Sequence, residues 1–207
     1  MAQQKRKQFV TPAGVAIYPW LNQPDTKFVP EGEFKVNLRL SAEEAEQLIN
    51  QLGQELDNFA AEAIKKDPKV KQFSKRLPFE EEIDDNGDLT GSYIFKFKQK
   101  AKINTKSGDS FNMKVALFDA KRTPTTVNVG GGSTLKVAFT AWPYTMASSR
   151  SIGLTLRPSA VQILQLVELS GGDDANMFDD EDGFEADTSA AAFSDTSTTT
   201  NEDELDF

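Results

Sequence analysis

Lys96, Lys98, Lys100 and Lys102 occupy every second position of one segment. In an extended chain side chains alternate between two faces, so these four ammonium groups project from one side about 7 Å apart. That spacing suits the phosphates of an extended nucleic-acid single strand, although most lysine rows are simply solvated outer faces. Lys35, Arg39, Lys114 and Lys136 stand on the outward positions of other alternating segments, and Trp142 and Tyr144 share the face of Lys136. An aromatic on a solvent-facing position needs a partner, and a base is the natural one, because stacking contributes about 1–3 kcal/mol per base whatever its identity. The competing reading turns Trp142 and Tyr144 inward past Pro143 to pack under a loop. Tyr18 and Trp20, at the end of a segment, read more readily as closing a core.

Other chemistry is poorly supplied. The chain has no Cys and no His, which removes disulfides, thiol nucleophiles, thiolate metal sites and the commonest general base. Gly130, Gly131, Gly132 and Ser133 lack the Lys-Ser or Lys-Thr of a P-loop and precede a strand pattern, so they read as a flexible turn. The acidic cluster at 80–88 lacks the ligand order of a calcium loop. No carboxylate pair is singled out by spacing. No enzymatic activity, cofactor or metal is therefore expected.

The elements that must position the cations follow from periodicity. Phe34, Val36, Leu38 and Leu40 alternate with Lys35, Asn37 and Arg39, which is a half-buried strand. Ser41 precedes Glu44 by three residues, a capping box, and Leu48, Leu52, Leu56, Phe59 and Ala63 then recur at helical spacing up to Pro68. The Asn86-Gly87 pair predicts a hairpin into the strand of Tyr93, Phe95 and Phe97. Residues 111–118 are expected as one strand with Phe111, Met113, Val115 and Leu117 inward. After a loop over 119–133, Leu135, Val137, Phe139 and Ala141 form another strand. Ile152 to Arg157 and Val161 to Leu169 read as two strands broken by Pro158. Short strands with one helix predict a mainly β fold, an OB-fold barrel with one inserted α-helix.

Charge divides the chain in two. None of its 23 basic residues but 13 of its 32 acidic ones fall after Ser170, leaving 19 acidic residues before it, so residues 1–170 carry +4 and residues 171–207 carry −13. Gly, Asp, Ala, Ser and Thr dominate that last segment, which has too little apolar surface to offset ordering entropy and is expected to be disordered. Its Phe178, Phe184 and Phe193, and its end in Asp203, Glu204, Leu205, Asp206 and Phe207, suggest more than solubilisation: a terminal aromatic among carboxylates can enter an apolar pocket ringed by basic residues. The basic start at Lys5, Arg6 and Lys7 is followed by Pro12 and Pro19 where a signal peptide needs an apolar run, so a cytoplasmic protein is expected, with no membrane partner. An acidic-tailed protein-interaction or histone-chaperone-like module without direct DNA binding is the second reading of the same features.

Specific stretches carry a resemblance. The strand IFKFK at 94–98, GGGSTLKV at 130–137, Pro143-Tyr144, QLVEL at 165–169 and the acidic ending DF resemble the single-stranded DNA-binding proteins of short-tailed phages that replicate with their own polymerase and primase-helicase. The resemblance implies an OB-fold, a homodimer, and non-specific binding and annealing of single-stranded DNA in replication, recombination and repair. It also implies a tail that contacts the replicative DNA polymerase and helicase-primase, in the host cell cytoplasm. By the same resemblance the binding role falls on Lys98, Lys136 and Tyr144. Lys100 stands where the family can have an aromatic, and Ala138 where it has a basic residue.

Overall fold

The strictest alternations become the central strands. The computed structural model describes residues 6–104, 108 and 110–168. The acidic segment expected to be disordered, with Asp203, Glu204, Leu205, Asp206 and Phe207, lies outside the described residues. In chain order the elements are β1 (Gln8–Val10), β2 (Gly14–Asp25), β3 (Glu33–Ser41), α1 (Ala42–Lys66) and a 3-10 turn (Pro68–Gln72). Then come β4 (Ser74–Arg76), β5 (Phe79–Ile83), β6 (Leu89–Lys100), β7 (Lys102–Asn104), β8 (Ser110–Asn112), β9 (Ala116–Phe118), β10 (Pro124–Thr125), β11 (Thr134–Met146) and β12 (Ser151–Gln165).

Hydrogen bonding follows the order β1-β11-β2-β3-β6-β12-β9-β10, and β11 also pairs with β12. The path β11-β2-β3-β6-β12 thus closes on itself as a ring of strands. Its inner faces hold the core: Val36, Leu38, Phe95, Phe97, Leu135, Val137, Phe139 and Leu156 are almost wholly buried. Phe97 meets Phe139 edge-on at 5.1 Å, and Phe9 stacks on Phe139 at 5.4 Å. Burying each such ring contributes about 1.5–3 kcal/mol, so the strands that present Lys35, Lys96 and Lys98 outward are anchored from beneath.

Helix α1 begins as its spacing predicts. The Ser41 hydroxyl accepts from the Glu44 N–H at 3.3 Å, and the Glu44 carboxylate accepts from the Ser41 N–H at 3.1 Å. Ala45, Leu48, Leu52, Leu56 and Ala60 form its buried stripe. Between β5 and β6 the Asp84 carboxylate accepts from the N–H groups of Asn86 and Asp88, and Gly87 takes a φ of 91° that a side chain would resist.

Several expectations change. Residues 111–118 are not one strand: β8 and β9 are separate, and Phe111, expected in the core, is 57% exposed. The segment after β6 breaks at Ala101, and Lys102 continues in the two-stranded β7-β8 sheet. Residues 151–165 form one strand instead of two. Pro158 is buried and pairs with Phe139 beside a bulge at Ser159, a place where a strand tolerates proline. The glycine run is no loose turn, because the Gly130 N–H donates to Val167 O at 2.7 Å and the Gly132 N–H to Ala16 O at 2.9 Å. Those amides are spent on holding β2, β11 and the end of β12 together, which removes them from any phosphate cradle.

Candidate nucleic-acid interface

A β-bulge sets the first position of the site. Ile17 pairs with Asn37, but Trp20 pairs with Lys35, so β2 spends two residues, Tyr18 and Pro19, where β3 spends only Val36. One extra residue reverses the alternation, turning Trp20 out beside Lys35 and Leu21 into the core. Without the bulge Trp20 would point inward. Tyr18, at the bulge, has a φ of 49° and is 77% exposed. Neither aromatic closes a core.

Lys35 in turn stands opposite Lys98 in the antiparallel β3-β6 register. On the far side of β6, Phe97 pairs with Leu156 of β12 in parallel, so Lys98 and Arg157, each one residue further on, project from adjacent strands on the same face. Arg157 faces Thr140 of β11, and its guanidinium lies 3.8 Å from the centre of the Trp142 ring. Trp20, Lys35, Lys98, Arg157 and Trp142 therefore form a track across five adjacent strands, about 19 Å at ordinary strand spacing.

The outward cations of β3 and β6 are more heavily neutralised than the sequence suggests. Lys96 pairs with Glu80 at 2.7 Å, Lys100 with Glu31 at 3.8 Å, Arg39 with Glu82 at 2.6 Å, and Lys35 with Asp25 at 2.5 Å. Lys98 has no carboxylate partner among the described residues. Its neighbours Lys96, Tyr144 and Thr155 line with it an open groove of about 370 Å³, alongside Phe79, Glu80 and Leu154. Tyr144 is half-buried, its phenol seated over Gly153, where a Cβ would come within 2.7 Å of the hydroxyl oxygen. The Asp25 carboxyl is held below the usual aspartate range, chiefly by its hydrogen bond from Lys35 and then by the N–H of Lys27. It stays ionised and takes one of the three N–H donors of Lys35.

Other expected contacts lie elsewhere. Lys102 is on β7 and Lys114 is in the connection between β8 and β9, so neither belongs to the ring that carries the track. Lys136 does project from the outer face of β11, opposite Gln162, at the opposite end of that strand from Trp142 and Tyr144. Trp142 is half-buried. Its indole N–H donates to Thr140 Oγ1 at 2.9 Å, and both Arg6 and Arg157 lie over its ring. The outward cations named from the sequence do not include Arg157, although it ends the expected strand from Ile152. The alternation of Ile152, Leu154 and Leu156 inward already places it outward, and that signal was available in the sequence.

A ring of strands with one helix, crossed on its outside by cations and aromatics, is an arrangement that single-strand-binding β proteins use. A family model described as "Single-stranded DNA-binding protein, Bacteriophage T7" matches residues 13–166, and the chain belongs to that family. The single-stranded DNA-binding protein of Enterobacteria phage T3 is 29% identical over 203 residues, covering 88% of this chain and 87% of its own length. The fold is shared with a crystal structure of gp2.5, a single-stranded DNA binding protein encoded by bacteriophage T7. That structure has TM-score 0.67 and 23% identity over 88% of this chain and 100% of that one. A single-stranded DNA-binding protein from bacteriophage Enc34, solved in complex with ssDNA, has the same fold at TM-score 0.51 and 11% identity, over 79% of this chain and 89% of that one. Among the described residues no helix is long and apolar enough to cross a membrane.

Proposed function

We propose that this chain binds single-stranded DNA without sequence preference along the track from Trp20 through Lys35 and Lys98 to Arg157, with Tyr144 stacking on a base in the adjoining groove. The alignment of those side chains across adjacent strands of a closed ring, which we read as an OB-fold barrel, is the observation that carries this reading. The phage setting of its relatives supports a role in DNA replication and recombination in the host cytoplasm, protecting and annealing single strands. Its −13 segment competes with DNA for the basic face. DNA displaces that segment, and Phe207 with its neighbouring acids then recruits the replicative polymerase and helicase-primase. A homodimer is part of the same proposal.

A labelled oligonucleotide titrated at several salt concentrations tests it. Binding with a negative slope of log affinity against log salt is expected, and removing residues 171–207 should tighten it. A chain whose 1–170 portion binds no oligonucleotide at low salt would be an acidic interaction module instead. Unchanged affinity after removal of the tail would end the competition idea alone.

A further inference from the structure

Trp142 occupies an unusual position for an aromatic meant to stack on a base. The Arg6 guanidinium lies 4.0 Å and that of Arg157 3.8 Å from its ring centre. Arg6 precedes β1 and Arg157 lies on β12, the neighbours of β11 on its two sides, so the two cations approach the indole from opposite faces. With its N–H held by Thr140, the indole has no face left for a base.

The two guanidinium groups are, for the same reason, held close together. At 4.0 and 3.8 Å from one centre they are at most about 8 Å apart, and neither meets a carboxylate among the described residues. Burial first, and the Arg6 charge second, make protonated Arg157 less favourable than an ordinary arginine. Such a pair lacks an anion. Lys98 on the neighbouring strand extends the positive field toward the rest of the track.

We infer that Arg6, Trp142 and Arg157 form a phosphate clamp, in which the indole is a spacer that orients two guanidinium forks toward one backbone phosphate at its rim. The ligand is the phosphodiester group, recognised by fork-shaped donors, and the base attached to it is not read. Arg6 comes from the segment before β1, tethered next door by the 3.1 Å ion pair of Lys7 with Glu55 on α1. The N-terminal arm is thereby a working part of the DNA face. This inference rests on the proposed single-strand binding and assigns Trp142 a role other than stacking.

The full chain, a labelled oligothymidylate and an abasic oligomer of equal length test it through the salt slope. Arg6→Gln alters an exposed residue outside the strands, so its folding is not at risk. It should flatten the slope by about 0.7, as one lost phosphate contact does on single strands. Trp142→Leu should flatten it too, and by the same amount on the abasic oligomer. A wild-type slope in Arg6→Gln overturns the clamp. So does a Trp142→Leu variant that binds thymidylate more weakly at unchanged slope and loses that deficit on the abasic strand, because that is stacking. If Lys98→Ala flattens the slope while Arg6→Gln does not, the clamp fails and DNA binding stands; if the unaltered chain binds neither oligomer, both fail.

Discussion

Lys35 of β3 stands directly opposite Lys98 of β6, two ammonium groups on one side of an antiparallel pair. Like charges so placed cost roughly 0.2–1 kcal/mol unless something relieves them. Asp25 relieves one by accepting a hydrogen bond from Lys35, which leaves Lys98 as the cation without a carboxylate partner among the described residues. The tension between the pair is the kind that a bound phosphate removes.

Lys98→Ala should therefore flatten the salt slope of oligonucleotide binding by about 0.7. Thermal stability should not fall, since the substitution removes a repulsion. A variant with an unaltered slope would place Lys98 off the DNA path.

Asp25→Asn should act oppositely on binding. It frees Lys35, so the slope steepens by up to about 0.7, while the turn held by the Lys27 N–H loosens and the melting midpoint drops. The wild-type carboxyl has a folded pKa below its unfolded value, so its stabilisation is present above the ordinary aspartate range and is lost as pH falls through the folded value. The Asn variant should show a smaller loss of melting midpoint across that acidic interval. Equal acid profiles would refute the linkage.

Gly153→Ala should destabilise the fold and weaken binding together. The new Cβ would meet the Tyr144 ring at 2.8 Å and the Arg76 carbonyl oxygen at 2.9 Å, and the latter is backbone that cannot swing away. Overpacking of this kind costs about 1–3 kcal/mol. Chemical denaturation gives the first effect and oligonucleotide titration the second. Normal binding by a destabilised variant would show that the seat of Tyr144 does not matter to DNA.

Ser41→Ala is the contrasting case, a change of stability far from the track. Loss of the capping hydroxyl should cost about 1 kcal/mol in denaturation, with affinity and salt slope unchanged. A shift in slope would mean that α1 positions the DNA face more directly than its contacts indicate.

Much of this was legible in order of sequence. Phe34 to Leu40 alternates, Ser41 and Glu44 cap, and Asn86-Gly87 turns, each through interactions between residues no more than a few positions apart. The same locality placed Lys35, Arg39, Lys96 and Lys98 on outer faces, as found. Phe111 is exposed because its alternation with Met113 runs into a break at 113–115, and alternation says nothing about where a strand stops pairing.

By itself the sequence determined which side chains are cationic, which faces are apolar and that charge is split between a +4 body and a −13 segment. Tertiary structure alone decided which cations are already partnered, because Glu80, Glu82, Glu31 and Asp25 reach Lys96, Arg39, Lys100 and Lys35 only across strand pairs or loops. It also decided that the outward row of Trp20, Lys35, Lys98 and Arg157 runs across strands instead of along β6. The physical reason is that a single extra residue in β2 reverses the face of everything after it, and that strand neighbours such as Lys98 and Arg157 are set by long-range pairing that no local spacing records.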